Sequence, residues 1–434
     1  MKVEKLSCKL IKPHTPTPQN LKNYKLSLID KYEAAMNFAV VLFYESRAAY
    51  TSSHILEESL AKILTDFYIL AGRFIKNDDL VDCSDQGAAF VEADAPGTEL
   101  IDLVPKIEID QLNCLLRDQH FRFDEAPDNP LLSIQATRFP CGGVAIAVSV
   151  SHRVFDASSL GTFVAAWSST ANLNRKVEMS IDASFHLPSL LPCRNPDSSG
   201  LSRPNPEERE NIVVKRLLFN KAALTSLKSR VRRKGKGKIV SEVRVVCATI
   251  ARALIRLDRV KHGEARGFLV FQPVNMRERV IPPQTRHACG NFAIPTVTRR
   301  VDAPEAEEVG LEEMVDLMGD AIRKCIIDHA EIVSPDGDGG DIIFLSNFEF
   351  LWKQMGVPNT NVIIITDWSK FGFYEADFGW GKPLMTSIGP QQPLNNIVVL
   401  MSNKEGDGIE AWVHLDKNDL HYFEQDEEIK NFIY

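Results

Sequence analysis

Three consecutive stretches decide the fold: Gly143-Val-Ala-Ile-Ala-Val-Ser-Val-Ser151, His152-Arg-Val-Phe-Asp156 and Ala157-Ser-Ser-Leu-Gly-Thr-Phe-Val-Ala-Ala-Trp167. The first is a dense apolar run with many β-branched residues, which predicts a buried strand. The third is rich in small residues and predicts a tightly packed helix over about 157–171. His152 therefore stands directly after a strand, where α/β proteins commonly place their chemistry. An imidazole there can be neutral near pH 7 and accept a proton.

The His-x-x-x-Asp spacing is weak evidence when taken alone. Among ten histidines, roughly one such match is expected by chance. A second match, His120-Phe-Arg-Phe-Asp124, lies in a polar stretch that ends in Ala126-Pro-Asp-Asn-Pro130. We interpret that match as the approach to a surface turn. For His152, a hydrogen-bonded structural histidine and a catalytic base are equally open from the spacing alone.

The composition indicates a globular protein with an acidic balance. The 434 residues are 44% hydrophobic and 25% charged, and the formal net charge is −8. This length supports two domains, and the charge argues against nucleic acid or an anionic membrane as a partner. The sequence has no signal-peptide core and no membrane-spanning apolar run. Its eight cysteines are scattered without a C-x-x-C pair, which predicts a reduced, cytoplasmic protein.

Strand and helix patterns interleave along the whole chain, which predicts a mixed α/β class with two domains. Five prolines from Pro188 to Pro206, with Ser198-Ser-Gly200 among them, have the composition of a linker. We therefore predict domains at 1–185 and 209–434 and a linker at 186–208. Strands are predicted at 33–50, 88–92, 131–139, 143–151, 213–219, 268–273, 362–366, 396–401 and 408–415. Helices are predicted at 54–73 (closed by Gly72), 157–171, 221–232, 242–257 (capped by Ser241) and 311–328.

Several common site patterns are missing from the sequence. No phosphate-binding glycine loop follows a strand, and neither G-x-S-x-G nor H-E-x-x-H occurs. The segment Asp336-Gly-Asp-Gly-Gly-Asp341 has the wrong spacing for a calcium loop and is interpreted as an acidic loop. We therefore expect no metal. The basic cluster Arg230-Val-Arg-Arg-Lys-Gly-Lys-Gly-Lys238 is either a solvated loop or a docking patch for a phosphate-bearing small ligand.

A second distinctive segment is Asp377-Phe-Gly-Trp-Gly-Lys-Pro383. The glycines at its aromatic pair predict a sharp, packed turn, in which Gly379 and Trp380 have structural roles. Together with the His152 motif, this segment closely resembles the plant BAHD acyltransferases, which use acyl-CoA donors. The resemblance covers nearly the whole chain.

Further blocks carry the resemblance in the same order as in the family: Leu26-Ser-Leu-Ile-Asp30, Phe67-Tyr-Ile-Leu-Ala-Gly-Arg73, Asp82-Cys-Ser-Asp-Gln-Gly87, Val274-Asn-Met-Arg-Glu-Arg279 and Cys289-Gly-Asn291. Ile69 stands where the family usually has proline. Within the family, Pro16-Thr-Pro-Gln19 and Gly372–Pro383 resemble the vinorine-synthase-like branch.

The resemblance implies a two-domain fold similar to chloramphenicol acetyltransferase, with a mixed sheet flanked by helices in each domain. It also implies a channel between the domains, and a strand exchange in which about 360–385 packs on the first domain. We expect no permanently bound cofactor, acetyl-CoA or another acyl-CoA as co-substrate, and a monomer.

The family chemistry assigns roles to individual residues. His152 is expected to be the general base, and the hydroxyl of Thr366 and indole N–H of Trp368 are expected to face the oxyanion. Asp367 stands between them where relatives often have serine. Cys141 is interpreted as buried filler, because no feature suggests an acyl-enzyme nucleophile, so we expect direct transfer in a ternary complex.

Three further assignments come from the resemblance. Asp156 could form a dyad with His152, but the family favours a structural role in which it pairs with Arg277. Asp377 is predicted to be functional, with a structural mechanism preferred over a catalytic one. Ser241 and Lys238 are the candidates for contact with the CoA phosphates.

The resulting hypothesis is an acyl-CoA-dependent O-acyltransferase, most simply an acetyltransferase acting on an alkaloid or terpenoid-like alcohol. Three alternatives stay open at this point. They are an N-acyltransferase with an amine acceptor, a thioesterase or ester hydrolase that uses water, and a non-catalytic relative that only binds acyl-CoA.

Overall fold

The structure is a computed structural model, and it describes residues 1–33, 35–45, 53–75, 80–117, 128–174, 181–192, 211–231, 240–333, 340–389 and 394–433. The second histidine match at 120–124, most of the predicted linker, Lys238 and the acidic loop up to residue 339 lie outside these residues. The chain divides into two compact units. Unit 1 comprises Met1–Arg203, Thr285–Phe292 and Phe371–Gln391, and unit 2 comprises Pro204–Gln284, Ala293–Lys370 and Gln392–Tyr434.

Unit 1 contains a six-stranded mixed sheet and a small three-stranded sheet. Its strands are β1 (Glu4–Ile11), β2 (Asn23–Lys25), β3 (Asn37–Tyr44), β4 (Arg73–Ile75), β5 (Leu80–Asp82), β6 (Ala88–Asp94), β7 (Leu132–Arg138), β8 (Val144–Ser151) and β13 (Met385–Gly389). The large sheet has the order β1-β6-β7-β8-β3-β13, and the small one has the order β2-β5-β4. Only β6 and β7 pair in parallel in the large sheet.

The helices of unit 1 pack around this sheet. They are α1 (Leu28–Tyr32), α2 (Ser53–Asp66), α3 (Leu100–Leu103), α4 (Ile109–Cys114), α5 (Ala157–Ala171) and α6 (Leu187–Leu190). Short 3₁₀ helices lie at Gln19–Leu21, Tyr68–Ala71, Val104–Lys106 and Phe373–Glu375. The helix predicted at 54–73 ends at Asp66 in the structure, because Phe67 leaves helical geometry (φ −96°, ψ 43°) and the 3₁₀ helix follows.

The central elements of unit 1 are the two that the opening sequence predicts. In β8, every residue from Val144 to Val148 is buried, as expected for a strand with neighbours on both sides. Helix α5 spans the predicted residues, and its small side chains allow close approach. A Cβ on Gly161 would lie 2.7 Å from the carbonyl oxygen of Phe371, so this helix position requires glycine.

Unit 2 contains a second six-stranded mixed sheet. Its strands are β9 (Ile212–Phe219), β10 (Gly267–Asn275), β11 (Ala293–Val297), β12 (Thr360–Asp367), β14 (Ile397–Ser402) and β15 (Ile409–Asp416), in the order β11-β10-β12-β14-β15-β9. The pairs β10/β12 and β12/β14 are parallel and the other pairs are antiparallel.

The helices of unit 2 are α7 (Lys221–Arg230), α8 (Glu242–His262), α9 (Ala303–Ala306), α10 (Leu311–His329), α11 (Gly340–Met355) and α12 (Leu420–Glu424), with a 3₁₀ helix at Lys430–Phe432. Helix α8 starts after Ser241, as predicted, but the Ser241 side chain makes no cap hydrogen bond. The core between sheet and helices is apolar, and one buried cluster includes Val246 and Ile250 of α8 and Val398 and Leu400 of β14.

The predicted fold class is confirmed, since both units are mixed sheets flanked by helices. Strand β13 lies in the large sheet of unit 1 although it follows β12 of unit 2 in the chain. The predicted linker at 186–208 stays a prediction, because only its first seven residues are described and they include α6. Within the described ranges, no helix is long and apolar enough to cross a membrane.

Candidate active site

The backbone of His152 is fixed from two sides. Strand pairing places Asn37 of β3 opposite Ser151 of β8, and the next hydrogen bond runs from His152 N–H to the carbonyl oxygen of Met36 at 2.8 Å. On the other side, the Asn291 side-chain amide donates to the His152 carbonyl oxygen at 2.7 Å. The residue is therefore held at the end of the central strand, with little freedom in its backbone.

The imidazole ring packs on one face and meets a carboxylate at one edge. The ring centroid of Phe38 lies 4.8 Å away at an interplanar angle of 52°. Atom Nδ1 is buried and has no hydrogen-bond partner among the described residues, and the nearest Glu33 oxygen, Oε2, is 3.6 Å from it. The His152 side chain keeps 23% of its surface exposed, so the ring has an accessible part that a small molecule can reach.

Asp156 is the N-cap of α5. One carboxylate oxygen accepts from the Ser159 backbone N–H and hydroxyl, both at 2.9 Å, and the other accepts from the Phe292 N–H at 3.1 Å. The carboxylate therefore joins the start of α5 to the segment that ends at Phe292. The predicted partner Arg277 is buried and donates through Nη1 to Asn275 Oδ1 at 3.2 Å. Its pairing with Asp156 stays a prediction.

Asp30, a residue of α1, supports the same region. Its buried carboxylate accepts from the Ser27 N–H, completing a capping box, and from both the backbone and side-chain N–H groups of Asn291. Burial raises the pKa of Asp30 to about 6, although the hydrogen bonds from Ser27 and Asn291 oppose the shift. Asn291 thus connects this carboxylate to the carbonyl oxygen of His152.

Asp377 organises the turn at 377–383. Its Oδ1 atom accepts the backbone N–H groups of Gly379 and Gly381, at 2.8 and 2.9 Å. Both glycines have positive φ, 95° and 94°, which side chains with a Cβ rarely adopt. The Asp377 carbonyl oxygen accepts from Asn172 at the end of α5. These contacts favour the structural mechanism over a catalytic one.

Aromatic packing fixes the same turn in unit 1. The Trp380 ring lies edge-on to Tyr44 of β3 at 5.5 Å. Phe378 contacts Trp167 of α5 edge-on at 4.8 Å. The Tyr44 hydroxyl also donates to the Ala376 carbonyl oxygen at 2.8 Å. Trp380 therefore packs against Tyr44, and its structural role stays a prediction.

Thr366 and Trp368 lie at the end of β12 in unit 2. The indole N–H of Trp368 donates to the Thr366 hydroxyl oxygen at 3.2 Å, and the Trp368 backbone N–H donates to Leu400. Asp367 between them accepts from the Ser369 N–H at 2.9 Å. Because the indole proton is directed at the Thr366 oxygen, the threonine hydroxyl proton is the donor left to a further acceptor.

Of the two candidates for contact with CoA, only Ser241 is described. It is exposed at the N-terminus of α8, and its hydroxyl makes no cap hydrogen bond to the helix. Lys238 lies outside the described residues. No group of three or more potential metal ligands occurs in the part of the chain that the structure covers.

Comparison with known proteins agrees with these motifs. A family model described as "Transferase family" matches residues 1–430. The chain belongs to the BAHD acyltransferase family. It is accordingly an acyl-CoA-dependent acyltransferase.

Two relatives match nearly the whole chain at different levels of sequence identity. A "Pelargonidin 3-O-(6-caffeoylglucoside) 5-O-(6-O-malonylglucoside) 4'''-malonyltransferase" from Salvia splendens is 50% identical, with 100% of both chains covered. Vinorine synthase from Rauvolfia serpentina is 32% identical over 96% of this chain and 95% of its own. The BAHD relatives therefore include both malonyl and acetyl transfer enzymes, the latter exemplified by stemmadenine O-acetyltransferase from Catharanthus roseus at 31% identity over 97% of this chain and 96% of that relative.

Solved structures support the fold. The crystal structure of vinorine synthase has a TM-score of 0.82 at 30% identity and covers 100% of this chain and 98% of its own. F. sporotrichioides TRI101, solved with coenzyme A and T-2, has a TM-score of 0.73 at 17% identity, with 95% and 99% coverage. At that identity, the second likeness shows the fold alone.

The sequence singled out His152 as a candidate but not Glu33, whose Oε2 atom lies 3.6 Å from Nδ1 of His152. Glu33 is brought close to His152 by the antiparallel pairing of β3 with β8. That pairing brings the residues before Asn37 to the residues after Ser151. No local motif marks Glu33.

Proposed function

We propose that this enzyme transfers an acyl group from acyl-CoA to a hydroxyl group, with His152 as general base. The observation that carries the reaction is the position of His152 directly after β8, with a fixed backbone and a partly exposed ring. A neutral imidazole at such a position can accept the proton of an alcohol that is otherwise a poor nucleophile.

The proposed reaction is direct transfer in a ternary complex. The alcohol O–H bond breaks as its oxygen bonds to the thioester carbonyl carbon, and the proton moves to His152. The tetrahedral intermediate then collapses, the C–S bond breaks, and the CoA thiolate takes the proton from His152. General-base help of this kind contributes about 10²–10⁴-fold to the rate.

The proposal gives Thr366 and Trp368 the role of oxyanion donors. Thr366 supplies the hydroxyl proton, and Trp368 polarises that hydroxyl through its indole N–H, at 3.2 Å. Asp156, Arg277, Asp377, Gly379 and Trp380 keep structural roles, and Ser241 with Lys238 is proposed to meet the CoA phosphates.

For the acyl donor, we propose malonyl-CoA, with a hydroxyl of a glycosylated phenolic compound as acceptor. The support is the 50% identity over both whole chains to the Salvia splendens enzyme, whose name gives a malonyl group and a pelargonidin glucoside. The acetyl donor and alkaloid acceptor expected from the vinorine-synthase-like resemblance are the second candidate, favoured by relatives at 31–32% identity.

The deciding experiment is a competition assay. Purified enzyme receives equal concentrations of malonyl-CoA and acetyl-CoA, with a pelargonidin glucoside in one arm and an alkaloid alcohol in the other, and products are identified by mass spectrometry. We expect malonylated glucoside as the main product. Acetylated alkaloid as the main product would overturn the choice of donor and acceptor.

Two control arms test the reaction class. Release of free CoA at a comparable rate without any acceptor would indicate a thioesterase. Preferred acylation of amine analogues of the acceptors would indicate an N-acyltransferase.

A further inference from the structure

Glu33 has no part in the chemistry proposed above, although it lies at the base. It follows the last turn of α1, where its backbone N–H donates to the carbonyl oxygens of Ile29 and Asp30 at 3.1 and 3.2 Å. Its side chain is 16% exposed, and Oε2 is 3.6 Å from Nδ1 of His152. The end of a helix therefore delivers a largely buried carboxylate to one particular ring nitrogen.

That ring nitrogen needs a partner. Nδ1 of His152 is buried and makes no hydrogen bond to the residues that the structure describes, which is costly for a polar atom. The 3.6 Å separation is slightly longer than a hydrogen bond. Catalytic hydrogen bonds are often long until substrate binds.

The other contacts of His152 involve its backbone and its ring face rather than Nδ1. Met36 and Asn291 hold the backbone N–H and carbonyl oxygen, and Phe38 lies against the ring. These contacts restrict the position of the ring without choosing which nitrogen carries the proton. A carboxylate at Nδ1 makes that choice, because it accepts a hydrogen bond but cannot donate one.

We propose that Glu33 is a positioning residue that holds His152 in the tautomer with the proton on Nδ1, so that Nε2 is the base. When Nε2 takes the alcohol proton, the ring becomes an imidazolium and the Glu33 carboxylate stabilises its positive charge. No proton passes to Glu33, and the proton on Nε2 later goes to the CoA thiolate. The kinetic part of this inference rests on the proposed function, whereas the tautomer is a property of the free protein.

The test uses three variants of the full chain. Glu33→Leu removes the acceptor, and Glu33→Gln keeps an acceptor of the same length without the charge. Glu57→Gln is the matched control, since Glu57 is similarly enclosed (22% exposed) and pairs with Lys9 at 2.6 Å. We expect kcat to fall about 10- to 100-fold in Glu33→Leu and about 3- to 10-fold in Glu33→Gln, with both KM values within about threefold. Glu57→Gln should match the wild type.

The second readout is the tautomer itself. Nitrogen-15 NMR of histidine-labelled protein, with the His152 signals assigned by loss in His152→Gln, should show a protonated Nδ1 and an unprotonated Nε2 in the wild type. Glu33→Leu should shift the balance toward protonated Nε2, and Glu33→Gln should largely retain the wild-type pattern.

The outcomes separate the two proposals. A wild-type ring with its proton on Nε2, or an unchanged ring in Glu33→Leu, overturns the positioning role whatever the enzyme catalyses. A changed ring with unchanged kcat shows that Glu33 sets the tautomer without kinetic value, which overturns the kinetic part of the proposal. Full activity in His152→Gln would instead overturn the proposed base and leave the tautomer result standing.

Discussion

The two units present different chemistry at the ends of comparable strands. In unit 1, β8 ends at an imidazole whose Nδ1 faces the Glu33 carboxylate at 3.6 Å, an arrangement suited to accepting a proton. In unit 2, Thr366 and Trp368 lie at the end of β12, where the Trp368 indole N–H donates to the Thr366 hydroxyl oxygen at 3.2 Å. In the proposed mechanism, proton transfer therefore belongs to unit 1 and oxyanion stabilisation to unit 2.

Their supporting contacts differ as well. The backbone of His152 is tied to Met36 and Asn291, which are distant in sequence. The donor pair of unit 2 lies within three consecutive residues, and its backbone is anchored by strand pairing to β14. The proposed base thus depends on long-range assembly of unit 1, whereas the proposed donor pair depends mainly on one strand end.

The largest expected effect comes from removing the base. His152→Gln should lower kcat by about 10²–10⁴-fold, because the alcohol loses its proton acceptor. The KM values should change little, since the ring is not assigned a binding role. Steady-state kinetics with both substrates measures the effect, and circular dichroism confirms that the variant is folded. Retention of more than half the wild-type kcat would remove His152 from the mechanism.

The next largest loss of kcat is expected from Thr366 and Trp368 in unit 2. Which of the two substitutions lowers kcat more identifies the direct donor to the oxyanion. Thr366→Val keeps the shape and removes the hydroxyl, so kcat should fall about 10²–10³-fold. Trp368→Phe removes the indole N–H that donates to that hydroxyl, and we expect a loss of about 3- to 10-fold. If Trp368→Phe were the more damaging of the two, the indole would be the direct donor and the proposed order wrong.

The elements that the sequence predicted well are those with a local signature. The β-branched run of β8 and the small residues of α5 fixed the surroundings of His152 and Asp156. Strand β13 was not predicted, because Met385-Thr-Ser-Ile-Gly389 has no clear apolar pattern and becomes a strand by pairing with β3. Local propensity is a weak guide where the partner decides the structure.

Local sequence patterns were also a limited guide to the candidate site. Glu33 reaches His152 because residues 37 and 151 pair across β3 and β8, a separation that no local pattern spans. Helix α11 was missed for another reason, since apolar residues such as Phe344, Phe348 and Leu351 are mixed with exposed Ile342 and Phe350, which blurs the helical period.

Two buried titratable groups, one in each unit, are expected to change the stability of their units with pH in opposite directions. Burial raises the pKa of Asp30 in unit 1 from 3.8 to about 6, so its contribution to stability is present below pH 3.8 and lost as pH rises through 6. Burial lowers the pKa of His414 in unit 2 from 6.5 to about 4, so its contribution is present above pH 6.5 and lost as pH falls through 4. Each full shift corresponds to about 3 kcal/mol.

Hydrogen exchange at about pH 5 and pH 7.5, corrected for intrinsic rates, can separate these responses. Between those values, peptides from β15 should gain roughly 2 kcal/mol of protection as pH rises, and peptides from α1 and β3 should lose roughly 1 kcal/mol. His414→Gln should flatten the first response and Asp30→Asn the second. Responses of the same sign in both units would contradict the opposite roles of the two groups.

The smallest predicted change in kcat concerns Asp377→Asn and tests whether the Asp377 carboxylate is catalytic. Asp377→Asn retains an Oδ1 that can accept from Gly379 and Gly381, so kcat should change less than about threefold and the free energy of unfolding by about 1 kcal/mol or less. Asp377→Ala removes both hydrogen bonds and should cost about 1–3 kcal/mol. Kinetics with thermal unfolding of both variants distinguishes the mechanisms. A catalytic carboxylate would instead make Asp377→Asn nearly as inactive as Asp377→Ala at unchanged stability, and proton transfer in unit 1 would then no longer rest on His152 alone.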